Sequence, residues 1–243
     1  MTRFERALAK VVENAKAEFG ADLLGMLLGG SVAYGEPSPR SDLDVYAIIR
    51  PPWRQRRAFS VDGVEVDLFI NPVAQIRREL APSAGSSTIA MFAHGRTLYD
   101  PEGAIAELVA EARRVWAQGP PEVSPEDTPR LRYGVRDALD DALDLADMGD
   151  QAGAEYALGR ALEAILHAHF RIARQWVPKP KYTLRDLRET DPGLAALASR
   201  ALSGEPPLAA RCAATAELAE RVLAPIGGLV TDWTTEPEAV DDL

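Results

Sequence analysis

The sequence predicts an α+β chain in two parts: a small sheet dressed with helices, then an all-helical region. Three observations carry this prediction. Residues 43–49 and 64–70 have the length and apolar content of strands, and the second alternates with period 2. Val64, Val66, Leu68 and Ile70 share one of its faces, Glu65 and Asp67 the other. The stretch 118–129, Gln-Gly-Pro-Pro-Glu-Val-Ser-Pro-Glu-Asp-Thr-Pro, has the composition of a linker. Beyond it the apolar spacing is helical throughout. The expected domains are therefore 1–119 and 130–243, with the linker at about 118–129.

Taken in order, residues 3–19 read as an amphipathic helix with Phe4, Leu8, Val11 or Val12, and Ala15 on one face. The run 23–28 reads as a buried strand, and Ser31 to Tyr34 as the opening of a short helix. Asp62-Gly63 is a hairpin signal that pairs 59–61 with 64–70 as antiparallel strands. Asn71-Pro72 has the form of an N-cap followed by Pro at the first helical position, predicting a helix to Leu80. Residues 86–93 and 101–117 read as helices and 96–99 as a short strand. After the linker, helices are expected at 130–148, 151–176, 183–201 with a break at Asp191-Pro192, and 206–224, which together make a bundle.

Composition bounds the function. At 243 residues and 47% hydrophobic content the chain supports ordinary globular cores. Its longest apolar runs, about eight residues, are too short to span a bilayer, and residues 1–6 hold no signal-peptide core. A cytoplasmic location and no membrane partner are the expectations. The single cysteine, Cys212, excludes an internal disulfide, and its Ala-rich helical setting points to a structural role. Net charge is −10, unevenly placed: 15 acids and 14 bases up to residue 120, then 22 acids and 13 bases. Such a field repels a polyanion, so a nucleic-acid partner is not expected and a small or cationic one fits better.

Residues 29–44 carry the chemistry: Gly-Gly-Ser-Val-Ala-Tyr-Gly-Glu-Pro-Ser-Pro-Arg-Ser-Asp-Leu-Asp. Gly29 and Gly30 let backbone approach a phosphate closely, and Ser31 with the first free N–H groups of the following turn can donate to its oxygens. Asp42 and Asp44 stand two apart in a strand, so both side chains leave the same face. Two adjacent hard oxygen ligands make a Mg²⁺ site.

In these residues the chain resembles the nucleotidyltransferase superfamily named after DNA polymerase beta. That motif, an apolar residue, Gly, Gly or Ser, a spacer of about ten residues, then Asp, apolar, Asp or Glu, apolar, is met by Leu28, Gly29 or Gly30, Ser31 and Asp42-Leu43-Asp44-Val45. The resemblance implies a small mixed-sheet nucleotidyltransferase domain and a third carboxylate on a later strand. Asp67 fits that role, with Glu65 as the competing choice. It also implies two Mg²⁺ ions held by Asp42, Asp44 and Asp67, and a nucleoside triphosphate, ATP by expectation, bound at Gly29, Gly30 and Ser31, with Gly30 and Ser31 fixing its β- and γ-phosphates. The reaction implied is in-line attack of an acceptor hydroxyl on the α-phosphorus, with Asp67 as the first choice of base.

A catalytic sheet followed by a helical bundle further resembles the kanamycin nucleotidyltransferase group, whose helical domain helps form the site. This likeness of architecture implies an aminoglycoside-like acceptor and an antibiotic-resistance role. In such relatives a Lys of the helical domain reaches the triphosphate, which makes Lys179 or Lys181 the candidate, and a Glu there serves as base, Glu155 and Glu163 both remaining open. A protein-modifying transferase or antitoxin-like partner and a non-catalytic nucleotide-binding regulatory module are the other classes, and a homodimer stays open.

Two further patterns lie in the second half. Asp137, Asp140, Asp141 and Asp144 fall on one stripe of a helix, opposite Val135, Leu139, Ala142, Leu143 and Ala146. They read either as a solvated face relieved by Arg132 and Arg136 or as a wall for a polyamine-like acceptor. Arg160 and His167 have the loose spacing of HEPN-type RNases, but the acidic surroundings lack the electrostatics RNA needs. His167 and His169, two apart on a helix, point apart and make no metal pair.

Overall fold

The computed structural model describes residues 1–230, 232–234 and 237, and the chain divides into two units, Met1–Pro120 and Pro121–Leu243. The first begins with helix α1 (Arg3–Phe19), entered through a capping box. Glu5 N donates to Thr2 Oγ1 at 3.1 Å and Thr2 N to Glu5 Oε2 at 2.6 Å. Strand β1 (Leu23–Gly29) follows, then a one-turn helix α2 (Gly30–Ala33) and strand β2 (Leu43–Ile49). A hairpin of β3 (Gln55–Val61) and β4 (Val64–Pro72) turns at Asp62 and Gly63 with φ of 51° and 74°, the pair of positive φ values that matches strand twist. Helices α3 (Val73–Glu79) and α4 (Ser86–His94), strand β5 (Arg96–Tyr99) and helix α5 (Ala104–Gln118) complete the unit.

The sheet runs β3-β4-β2-β1-β5, with β2 and β4 parallel and the other neighbours antiparallel, so it is mixed. Alternation sorts its side chains. Met26 and Leu28, Leu43, Val45 and Ala47, and Val66, Leu68 and Ile70 form one core with Ala7, Leu8, Val11 and Ala15 of α1. The opposite face is covered over β1 by α4 and α5. A Cβ at Gly25 would lie 2.5 Å from Ile105 Cγ1, and one at Gly29 3.0 Å from Met91 Sδ.

In this unit Asn71-Pro72 and the start of β3 depart from the sequence expectation. Asn71-Pro72 does not open a helix: Asn71 is buried and pairs with Ile48, Pro72 with Ile49, and α3 starts only at Val73. Ladder pairing with β2 outweighs the capping preference of the dipeptide. Strand β3 starts at Gln55, four residues before the expected strand, because its exposed polar residues carry no alternation signal. Cross-element pairs hold it instead, among them Arg57 on both carboxylate oxygens of Glu18 in α1, at 2.8 and 2.7 Å.

The second unit is helical: α6 (Asp127–Asp147), α7 (Gln151–Ile172), α8 (Pro180–Thr190), α9 (Pro192–Leu202) and α10 (Leu208–Leu223). Leu139, Leu158, Leu162, Ile165, Phe170, Leu187 and Leu218 are central in its core, where Cys212 is buried as well. The break at Asp191-Pro192 is present, with Asp191 Oδ1 accepting from Leu194 N at 2.9 Å as the cap of α9. Helix α7 ends at Ile172, short of the expected 176. Arg174 takes a left-handed φ of 55° and Gln175 N closes on Phe170 O at 2.8 Å. Among the described residues no helix is long and apolar enough to cross a membrane.

Burial lowers the pKa of His169 from its ordinary 6.5, against a smaller opposing pull from Asp191, and its Nε2 has no partner among the described residues. The unfolded chain thus binds this proton more readily than the folded one. Its contribution to stability is full above the unfolded value and is lost as pH falls through the depressed folded value. The urea midpoint is expected to drop from about pH 7.5 to about pH 5.5, and His169→Phe to flatten part of that slope. An unchanged slope in the variant would place its origin elsewhere.

Candidate active site

Strand register assembles the site. Across the sheet, Gly29 of β1 pairs with Asp44 of β2, Asp44 with Asp67 of β4, and Asp67 with Ala58 of β3. The glycine turn and two of the candidate carboxylates therefore stand abreast on three adjacent strands. Asp42, one residue ahead of β2, has the parity of Asp44 and joins them. One carboxylate oxygen from each of Asp42, Asp44 and Asp67 lies within 4.8 Å of the others, and all three side chains are half-buried. This set of hard oxygen donors fits Mg²⁺ or Mn²⁺.

Gly30 explains why the turn needs glycine. Its φ is +68°, and a Cβ there would fall 2.1 Å from Asp44 Oδ2. Ser31 is buried, and its hydroxyl pairs with that of Ser41 at 2.9 Å, while Ser38 N donates to Ser41 Oγ at 2.8 Å. In this state Ser31 ties the glycine turn to the loop that delivers Asp42. At four residues α2 adds little dipole, so anion binding here would rest on the backbone amides of the turn rather than on a helix terminus.

Sequence reasoning missed the floor of the site. Tyr46 stacks on Phe69 with ring centres 4.8 Å apart and 20° between planes, and meets the edge of Phe92 at 5.0 Å. Burial pushes the Tyr46 phenol up to about 12, with a hydrogen bond to Thr88 opposing, so it stays protonated and serves as scaffold. Arg56 of β3 lies over Phe69, 5.0 Å from the ring centre, and donates to Asp67 Oδ2 at 2.6 Å. Counting back from the Asp62-Gly63 turn pairs Arg56 with Phe69, so a longer β3 would have revealed it. On the β3 side of the triad a cleft is lined by Asp42, Ala58, Phe59, Ser60, Glu65, Val66 and Asp67. Glu65 is exposed on the face of Asp67, outside the carboxylate cluster.

The remaining candidates belong to the second unit. Lys179 is exposed at the N-cap position of α8, and Lys181 is in its first turn with the ammonium 4.9 Å from the Tyr182 ring centre. The expected rigid loop 176–182 thus ends at Lys179. Glu155 pairs with Arg211 at 3.3 Å and Glu163 with Arg160 at 2.8 Å, all on α7 and α10. Asp137, Asp141 and Asp144 are exposed, and Asp140 pairs with Arg136. His167 is exposed and His169 partly buried, on different sides of α7. Gly30→Ala is expected to strain the turn and displace Asp44, costing about 1–3 kcal/mol in urea unfolding and weakening Mn²⁺ binding in an isothermal titration. Wild-type behaviour in both would remove the close approach from the account.

No protein-family model matches the chain, and no curated protein matches it. Among solved structures, a nucleotidyltransferase-like protein from Exiguobacterium sibiricum is similar with a TM-score of 0.52 and 14% identity, covering 91% of this chain and 75% of that one. Spectinomycin adenyltransferase AAD(9) from Enterococcus faecialis, with ATP and spectinomycin, is matched at 0.39 and 15% identity over 90% of this chain and 98% of that one, too slight a likeness to bear on this chain. The first likeness is one of fold: an α+β chain with a five-stranded mixed sheet followed by a helical region.

Proposed function

We propose that the chain is a Mg²⁺-dependent nucleotidyltransferase that moves a nucleoside monophosphate from a nucleoside triphosphate, ATP by preference, to a hydroxyl of a small cationic acceptor. The observation that carries this reading is the row Gly29–Asp44–Asp67, which sets a close-approach backbone turn beside converging carboxylates. The fold shared with a nucleotidyltransferase-like protein agrees with it. Divalent ions held by Asp42, Asp44 and Asp67 would neutralise triphosphate charge and lower the pKa of the acceptor hydroxyl.

The chain's own residues divide the work. Gly29, Gly30 and Ser31 border the triad on the β1 side and would receive the β- and γ-phosphates. The cleft on the β3 side would receive the acceptor, and its three carboxylates favour one that carries amines. The acceptor oxygen bonds to the α-phosphorus as the bond to the pyrophosphate oxygen breaks. Asp67 would take the hydroxyl proton on the oxygen that does not face the cation.

The test is transfer of label from each α-labelled nucleoside triphosphate to aminoglycosides or to a cell extract, with Asp42→Asn beside the wild type. Label on an aminoglycoside, reduced at least about a hundredfold in the variant, is the expected result. Label confined to an extract protein would make the chain a protein-modifying transferase. Nucleotide binding with no cation-dependent transfer would make it a binding module.

A further inference from the structure

We propose that Arg56 is an exchangeable counter-ion of the triad that couples cation binding to triphosphate binding. The inference rests on reading Asp42, Asp44 and Asp67 as a divalent-cation site. Three carboxylates with oxygens within 4.8 Å repel one another, and Arg56 Nη2 lies 2.6 Å from Asp67 Oδ2, against that repulsion. A cation arriving alone must compete with this guanidinium for Asp67. A cation arriving with a triphosphate brings the polyanion that can take the guanidinium over.

Three features make the pair exchangeable rather than fixed. Arg56 stands on the edge strand with its side chain 65% exposed, against 18% for Asp67, so solvent can replace the contact on the arginine side. Its guanidinium also rests over Phe69, which is backed by Tyr46, whose ring in turn meets Phe92. That stack keeps the cation at the site when Asp67 lets go, and a planar guanidinium matches phosphate oxygens in pairs. The neighbouring Arg57 serves as contrast: it leaves the other face of β3 and pairs with Glu18 of α1, beside the Phe19 ring.

Mn²⁺ binding, read by electron paramagnetic resonance with and without a non-hydrolysable triphosphate analogue, tests this in full-length wild type, Arg56→Gln, Arg57→Gln and Asp42→Asn. Arg56→Gln is expected to bind Mn²⁺ alone about two- to fivefold more tightly than wild type, and to gain less from the analogue. Arg57→Gln, which removes the same charge away from the triad, should match wild type. A structural role alone would leave Mn²⁺ affinity unchanged and lower the melting temperature equally with and without Mn²⁺. That result, or equal tightening in Arg57→Gln, overturns the proposal. If wild type and Asp42→Asn bind Mn²⁺ alike, the triad is not a cation site, and the proposed function fails together with the inference.

Discussion

Parallel pairing of β2 with β4 brings Asp44 level with Asp67, and a slip of one residue would turn Asp67 onto the face that packs against α1. That register is fixed by burial. Val66, Leu68 and Ile70 must face the same core as Leu43, Val45 and Ala47, which leaves Asp44, Tyr46, Asp67 and Phe69 together on the other side. The same constraint on β1 sends Met26 and Leu28 into the core and places Gly29 beside Asp44. Hydrophobic sorting of one face thus determines the chemistry of the other. A cost of that arrangement is charge crowding, which the edge-strand arginine offsets.

Much of this was legible in the sequence, for identifiable reasons. Alternation in 64–70 assigned Asp67 and Glu65 to the polar face, and the Asp62-Gly63 turn gave the hairpin. The spacing of Asp42 and Asp44 placed both on one side of β2. What could not be read was parallel pairing between strands separated by a hairpin, because no local signal encodes which strand a given edge will meet. The role of Ser31 was also hidden. Its partner Ser41 is ten residues away, and only the fold shows the hydroxyl committed to the loop. Arg56 escaped notice because an exposed edge strand of Gln, Arg and Ser shows no hydrophobic period.

In the second unit the helices were found, but their ends moved where a specific hydrogen bond stopped them. Gln175 closing on Phe170 ended α7 early, and the first turn of α8 drew Lys181 and Tyr182 out of the expected loop. The stripe of Asp137, Asp141 and Asp144 is a solvent-facing surface of α6, with Arg136 relieving Asp140. Its acidity fits a unit that carries most of the negative charge of the chain.

The most direct measurement is a crystal structure with Mn²⁺ and a non-hydrolysable nucleoside triphosphate, with Mn²⁺ located by its anomalous scattering. The account predicts Mn²⁺ about 2.1 Å from oxygens of Asp42 and Asp44, as expected of a small hard cation, with the triphosphate against Gly29, Gly30 and Ser31. A triphosphate bound elsewhere, or Mn²⁺ bound away from these carboxylates, would contradict it.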